Sequence, residues 1–578
     1  MATLISRRGF LGTATAAAAA VGTAAPATAA ATGRSTVDTV RERHRAVVVG
    51  TGFGGAVTAF RLAEAGVPAV VLERGRRWPV TPDGDTFPPV LRPDRRSSWL
   101  TPHPVYPGQP PVLYRPYVGL FEKVVGHNIS VICGAGVGGG SLVYGGVMIR
   151  PPREVFTRVV PASVDFDELD RVHYPRVAGR IGIGTIPDDV LAHERYWSSR
   201  LFLDQAARAG LPTQRLTVAV DWNLVRAELQ GRARPAASVG EYLNGLNGGA
   251  RPSVDRNYLA WAEASGRVEV RPLHVVTGLG RDGQGRYVVR CDQINEDGEV
   301  LLHRELTADA VFLAAGSMGT TRLLVRARDT GALPGLPEDV GRHWGNNGDQ
   351  IYFRALVPEP TGAHQGGPIC VAVVDWNTPD GPVVIQHGPA PFPIDAHAMA
   401  VPGFGLAEPR GRFEYSPVTD RVTLHWPAGS DRAAQQGVRA VLRQLVSRTG
   451  GPVGVIGAEL TGLLDLAAGG LAQALARLPG GSSVLGPLGG LLGLAAAAPA
   501  GLIDYSGLDP VTFHPLGGAV IGAVCDDRGR VHDHPGLYVV DGSLLPGSTG
   551  ACNPAWTIAA LAERAMDDVL TRDVGAVF

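Results

Sequence analysis

The sequence has little cysteine, almost no net charge and no long apolar run free of helix breakers, and each shortage removes a class of protein. Its five cysteines, Cys133, Cys291, Cys370, Cys525 and Cys552, are scattered over 578 residues. No CxxC pair or regular ligand spacing joins them, which argues against a structural zinc or an iron–sulfur cluster, so no metal is expected. Small buried apolar residues are their plain reading. The 53 basic residues nearly balance 54 acidic ones, for a formal charge of -1. No global field then favours nucleic acid, and no nucleic-acid partner is expected. The uncharged stretch Leu478 to Ile503 is interrupted by Pro479, Pro487 and Pro499, which would break a spanning helix. It reads as a buried or flexible cover, or alternatively as a flap for transient membrane-surface contact and substrate extraction.

Glycine and proline are plentiful, at 77 and 45 residues, beside 45% hydrophobic residues, which indicates many tight turns around real cores. The length exceeds one ordinary core and implies two or more folding units. The opening segment, residues 1–31, has the order of an export signal: Ser6-Arg7-Arg8-Gly9-Phe10-Leu11, an Ala/Gly/Thr run, then Ala27-Thr28-Ala29 or Ala29-Ala30-Ala31 as cleavage sites. Its paired arginines point to the twin-arginine route and a secreted protein. A retained anchor is the alternative, although the Ala-rich run poorly matches the roughly 20 apolar residues a bilayer needs.

Past a polar stretch the pattern becomes β-α-β, with a strand at Arg45 to Val49, a helix at Gly54 to Ala65 and a strand at Ala69 to Glu73. Ala56, Ala59, Phe60 and Ala63 share one face of that helix. Ala310 to Ala315 reads as another buried parallel strand followed by a helix. Leu537 to Val540 and a helix from Pro554 to Leu570 close the chain. The nucleotide-binding unit is therefore expected in separate pieces, 43–85, 255–345 and 505–578, with a substrate-binding unit from 86–254 and 346–504.

Gly50-Thr51-Gly52-Phe53-Gly54-Gly55 follows the first strand directly. Gly50 permits the tight turn, Gly52 lets backbone approach a pyrophosphate, and Gly55 lets helix and strand pack closely. Glu73, at the end of the second strand, is placed to accept hydrogen bonds from the ribose hydroxyls of an adenosine, and its charge disfavours a 2′-phosphate. That leaves FAD or NAD. A second cluster, Gly134-Ala135-Gly136-Val137-Gly138-Gly139-Gly140-Ser141, is set in apolar sequence and suits backbone laid along an extended ligand, which favours FAD. Gly138, Gly139, Gly140 and Ser141 are its candidate contacts.

Several separated stretches resemble the glucose-methanol-choline flavoprotein family, and within it the sterol-oxidising bacterial members that hold FAD without a covalent bond. They are Gly50 to Glu73, Arg96-Ser97-Ser98-Trp99, Gly138 to Val143, Leu323 to Gly331, Pro360-Thr361-Gly362-Ala363-His364-Gln365 and Phe513 to Arg564. The resemblance implies an α/β fold, a Rossmann-like FAD-binding domain with an inserted α+β substrate-binding domain built on an antiparallel sheet. It also implies a catalytic pair, His514 in Phe513-His514-Pro515-Leu516-Gly517-Gly518 and Asn553 in Asn553-Pro554. A neutral His514 can orient a substrate hydroxyl and take its proton while the carbon hydride moves to the flavin. The Asn553 amide can hold the hydroxyl or polarise the flavin. Asp541 and Gly542 line the FAD by the same resemblance, with a simple turn as the alternative.

The relatives carry a third catalytic residue, a glutamate in the substrate cavity. A gapless count back from Arg410 lands on Asp395, one methylene shorter, with His397 as a neighbouring substitute and a plain turn aspartate as the alternative. The shorter side chain favours oxidation over a coupled isomerisation. The expectation is thus FAD-dependent oxidation of a secondary alcohol on a bulky, sterol-like molecule to a ketone, with oxygen as acceptor and hydrogen peroxide as product. The alternatives are a dehydrogenase of another hydrophobic alcohol with a non-oxygen acceptor, and a non-catalytic flavin- or lipid-binding surface protein.

Overall fold

The computed structural model describes residues 37–105, 112–390, 393–450, 453–455 and 510–578. The export segment and the uncharged stretch at 478–503 lie outside the described residues. Thr39 to Phe578 form one compact unit.

Among the described residues the largest sheet has seven strands: β1 (Thr39–Val49), β2 (Ala69–Leu72), β3 (Val268–Arg271), β4 (His274–Arg281), β5 (Tyr287–Ile294), β6 (Val300–Leu313) and β7 (Leu537–Val539). The order β3-β2-β1-β6-β7 is parallel throughout. The N-terminal half of β6 instead pairs antiparallel with β5, and β5 with β4. Val47, Val48, Val71, Phe312 and Leu313 are inaccessible to solvent, as expected for strands covered on both faces. Helix α1 (Phe53–Glu64) buries Ala56, Val57, Ala59, Leu62 and Ala63. Phe60 sits at the edge of that face, its ring 5.8 Å from Tyr258 and 5.4 Å from Trp261. Helices α2 (Gly316–Asp329) and α3 (Ala555–Arg572) follow the sixth strand and close the chain.

Strand β1 begins six residues before the expected Arg45, because the alternation in Thr39 to His44 is one of charged side chains, paired in register with His303 to Ala308. Arg41 meets Glu305 across this pair at 3.2 Å. Charged, half-exposed alternation carries no hydrophobic signal. Among the described residues no helix is long and apolar enough to cross a membrane.

A second sheet is antiparallel and runs in the order Asp349–Gln350, Gly403–Phe404, Val383–Gln386, Val371–Asp375, Thr213–Arg215. The helices Trp197–Arg208 and Arg432–Thr449 bury Phe202, Val438 and Leu442 in the same core as Val371, Val373, Val384 and Ile385. The fold is therefore α/β, a Rossmann-like domain plus a substrate-binding domain on an antiparallel sheet.

Candidate active site

One cavity of about 690 Å³ runs past the carboxyl ends of the parallel strands and on to the antiparallel sheet. Val49, Leu72, Ala314 and Asp541 line it where β1, β2, β6 and β7 end, the place where open parallel sheets take their ligands. Gly50, Gly52, Phe53, Gly54 and Glu73 also line it, as do Gly139, Gly140, Gly542 and Pro554. The residues there fit an extended dinucleotide. A methyl group built on Gly52 or on Gly140 would meet nothing within 4 Å, so both glycines face open space. Gly52 also caps α1 without any side-chain hydrogen bond, which leaves the first helix amides free for an anion.

The remaining glycine-loop residues build the loops instead of lining the cavity. A Cβ on Gly55 would stand 2.1 Å from the Gly50 carbonyl, so only glycine lets α1 lie against the turn. Gly138 packs beside Asp255 and Leu142. The Ser141 hydroxyl donates to the Gly138 carbonyl at 2.7 Å and accepts the Val254 amide at 3.0 Å. These two correct the expectation of direct cofactor contact, because the tight turn uses up their polar atoms.

Glu73 is buried, and its carboxylate accepts from the Thr51 hydroxyl at 2.5 Å and the Gly75 amide at 2.8 Å. The Thr51 hydroxyl in turn accepts the Gly138 amide at 3.2 Å. Thr51 therefore ties the two glycine clusters to the acidic strand end, a role its position in the motif did not reveal. Asp541 is also buried; burial pushes its carboxyl above the usual carboxylate range against donors from Ser543 and Thr320. Cys133, at the cavity wall, has its thiol pushed up to about 12 by burial.

At the other end lie His514 and Asn553. The His514 loop is locked by reciprocal backbone bonds between Leu516 and Gly345. Gly517 and Gly518 follow with φ of +91° and +105°, and a Cβ on either would strike His343 or Thr321. Asn553 lies two residues before the start of α3, on a turn whose Thr549 amide and hydroxyl both donate to Asn347, and Asn347 donates to the Cys552 carbonyl. His514 Nε2 and Asn553 Nδ2 stand 3.4 Å apart. His514 Nδ1 lies 2.9 Å from a carboxylate oxygen of Asp349, which is wholly buried. Gln386 Nε2 donates to Asn553 Oδ1. The Phe404 ring packs at 5.6 Å from the imidazole.

Asp349 and Gln386 are functional candidates that the sequence reading missed. The first has no distinguishing local pattern. The second left a signal: a lone amide closing the apolar run Val383-Val384-Ile385. Asp395, by contrast, is not a cavity residue. Its carboxylate accepts from the Thr361 amide and hydroxyl at 3.0 Å each and from the His397 amide at 3.1 Å. Burial pushes that carboxyl up, but those hydrogen bonds prevail and hold it below the usual range. His397 is spent likewise, its Nδ1 facing the Val357 carbonyl at 2.7 Å. The gapless count failed because the span from Asp395 to Arg410 is mostly loop around two short strands, Met399–Ala400 and Gly403–Phe404, and loops take up insertions at little cost. The polar side chain that completes the group is Gln386.

Among the described residues no group of three or more His, Cys, Asp or Glu side chains is arranged to hold a metal. The family model for GMC oxidoreductases matches residues 503–562, the stretch that carries both His514 and Asn553, and the model for the GMC oxidoreductase C-terminal region matches 347–453. Both matched models describe GMC oxidoreductases, and they support that family for this chain.

Among GMC oxidoreductases and their relatives, a cholesterol oxidase of Mycobacterium tuberculosis (strain CDC 1551 / Oshkosh) is 27% identical over 574 residues, covering 90% of each chain. A cholesterol oxidase of Acinetobacter baumannii is 24% identical over 569 residues, covering 90% of this chain and 93% of the other. The solved structure of a fungal aryl-alcohol oxidase superposes with a TM-score of 0.58 at 15% identity, over 93% of this chain and all of that one. That likeness speaks to the fold alone.

Proposed function

We propose that this chain is a GMC oxidoreductase that binds FAD along the two glycine clusters and oxidises a secondary alcohol on a bulky, sterol-like molecule to a ketone. One observation carries the reading. His514 Nε2 and Asn553 Nδ2 stand side by side on the wall of a cavity that also runs along the glycine turn. A hydroxyl inserted between them gives its proton to the imidazole and accepts the amide N–H, so the pair reads a group that both donates and accepts.

Gly52, Gly139 and Gly140 would lie along the cofactor's backbone-facing length, and Glu73 would meet its adenosine end. A bound FAD would supply the acceptor for the hydride of the carbinol carbon and the route of the electron pair to oxygen, with hydrogen peroxide as the product. His514 takes the hydroxyl proton at Nε2, and Asn553 holds the oxygen in place as it becomes a carbonyl. Ile351, Phe353, Ala355, Ile369, Ala400 and Phe404 line the same end of the cavity, and their apolar wall supports a hydrophobic substrate. Gln386 supplies an amide where a carboxylate base would be needed to move a ring proton, which supports oxidation without isomerisation. Export by the twin-arginine route and transient contact with a membrane surface during substrate extraction belong to the same proposal.

The test is to purify the mature protein, record its visible spectrum and measure peroxide release from cholesterol and from simple alcohols. A yellow protein that forms peroxide with cholesterol supports the reading. Reduction of an artificial acceptor without oxygen consumption would replace the oxidase by a dehydrogenase.

A further inference from the structure

His514 and Asn553 can each be read in two orientations, and the chemistry above needs one of them: an acceptor at Nε2 and a donor at Nδ2. With the imidazole neutral, as a proton acceptor must be, the geometry around the pair leaves one choice. A carboxylate can only accept, and the Asp349 carboxylate is fixed, accepting from the Thr512 hydroxyl at 2.8 Å and the Phe513 amide at 3.1 Å. His514 Nδ1, at 2.9 Å, must then carry the hydrogen, which leaves Nε2 of a neutral ring with its lone pair. The Asn553 atom facing that lone pair must be the N–H, so Oδ1 points away and takes the Gln386 amide. Reversing either amide would set oxygen against oxygen, or oxygen against a ring lone pair.

We propose that Asp349 and Gln386 are positioning residues, one at each end of a one-way hydrogen-bond chain that fixes His514 as the acceptor and Asn553 as the donor toward the substrate hydroxyl. Both come from the antiparallel sheet, on neighbours of the Gly403–Phe404 strand, whereas His514 and Asn553 come from loops of the C-terminal stretch. The second domain thereby sets the polarity of a pair it does not carry. This rests on the proposed alcohol oxidation for its kinetic consequence, but not for its structural one.

The test uses the full-length flavin-loaded protein with ¹⁵N-labelled histidine, His514 being assigned by its loss in His514→Gln. The wild type should show a single Nδ1–H tautomer at His514. Asp349→Asn, whose amide can turn either way, should give a mixed or reversed tautomer. Gln386→Met should keep the tautomer yet free the Asn553 amide. In both variants anaerobic flavin reduction by cholesterol should slow about 10- to 100-fold, with the half-saturating concentration changed less than about threefold. An Nε2–H tautomer in the wild type would overturn the proposal, as would reduction rates in both variants equal to the wild type. Should Asp349→Asn not fold, the wild-type tautomer and Gln386→Met still decide. If cholesterol leaves the wild-type flavin oxidised, the proposed function fails, while the tautomers still test the chain.

Discussion

The Thr51 hydroxyl donates to the Glu73 carboxylate at 2.5 Å, joining the turn after the first strand to the end of the second. Both residues line the cavity, so the acidic strand end braces the glycine turn as well as facing the adenosine end of a dinucleotide. Glu73→Gln should therefore weaken FAD binding by about tenfold or more, one charge-assisted hydrogen bond being at stake. Flavin fluorescence during titration of the apoprotein measures it.

Two glycines of the same turn should respond in opposite ways. The space beside Gly52 is open, so Gly52→Val should fold normally but lose the flavin, its side chain standing where the pyrophosphate must come. A Cβ on Gly54 would stand 1.8 Å from the Val540 carbonyl, so Gly54→Ala should lose about 1–3 kcal/mol or more of stability before any cofactor is added. Thermal unfolding of both apoproteins separates the two effects.

His514→Ala should keep bound yellow flavin and slow its reduction by substrate about 10²- to 10⁴-fold, the range lost with a general base. Stopped-flow absorbance under anaerobic conditions reads the rate. Reduction at the wild-type rate would remove His514 from the chemistry.

The correction from Asp395 to Gln386 makes a paired prediction. Asp395→Asn should leave the oxidation rate within about twofold and act on stability, because that carboxylate secures a loop outside the cavity. Gln386→Glu should place a carboxyl in the cavity wall beside Asn553, and with cholesterol as the probe it should raise the fraction of conjugated enone over unconjugated ketone. Chromatography of the two products checks it.

Acid should loosen the end of the chain. Glu168 faces Arg564 at 2.8 Å and Arg528 at 3.2 Å; burial pushes its carboxyl up, but those cations prevail and bring it down to about 2. A carboxylate depressed in the folded state adds stability above its ordinary value of 4.5, and that stability is lost as pH falls toward about 2. Glu168→Gln should thus lower the melting temperature at neutral pH, with the difference from wild type shrinking through that window.

The cofactor end was legible in the sequence because its signals are local. A glycine turn between Val49 and α1, with an acid closing the next strand, follows from the requirements of a tight turn and a close approach. The ends of the elements around it are less legible, most of all at β1, whose first half is charged and half-exposed. The substrate end was only half legible. His514 and Asn553 sit in motifs, but Asp349 and Gln386 reach them from strands 165 and 167 residues away in sequence, through a sheet whose register no local pattern records. Asp395 was reached by counting through a stretch that is mostly loop, where spacing carries little geometric constraint. The wholly buried Asp349 shows why: its meaning lies in what it touches, and the sequence around it does not say.

The most direct test of the account is anaerobic titration of the purified protein with cholesterol while its visible spectrum is followed. The account predicts a yellow protein whose flavin absorbance bleaches with substrate and returns when oxygen is admitted, with release of peroxide. A folded protein that is colourless and takes up no FAD would contradict it.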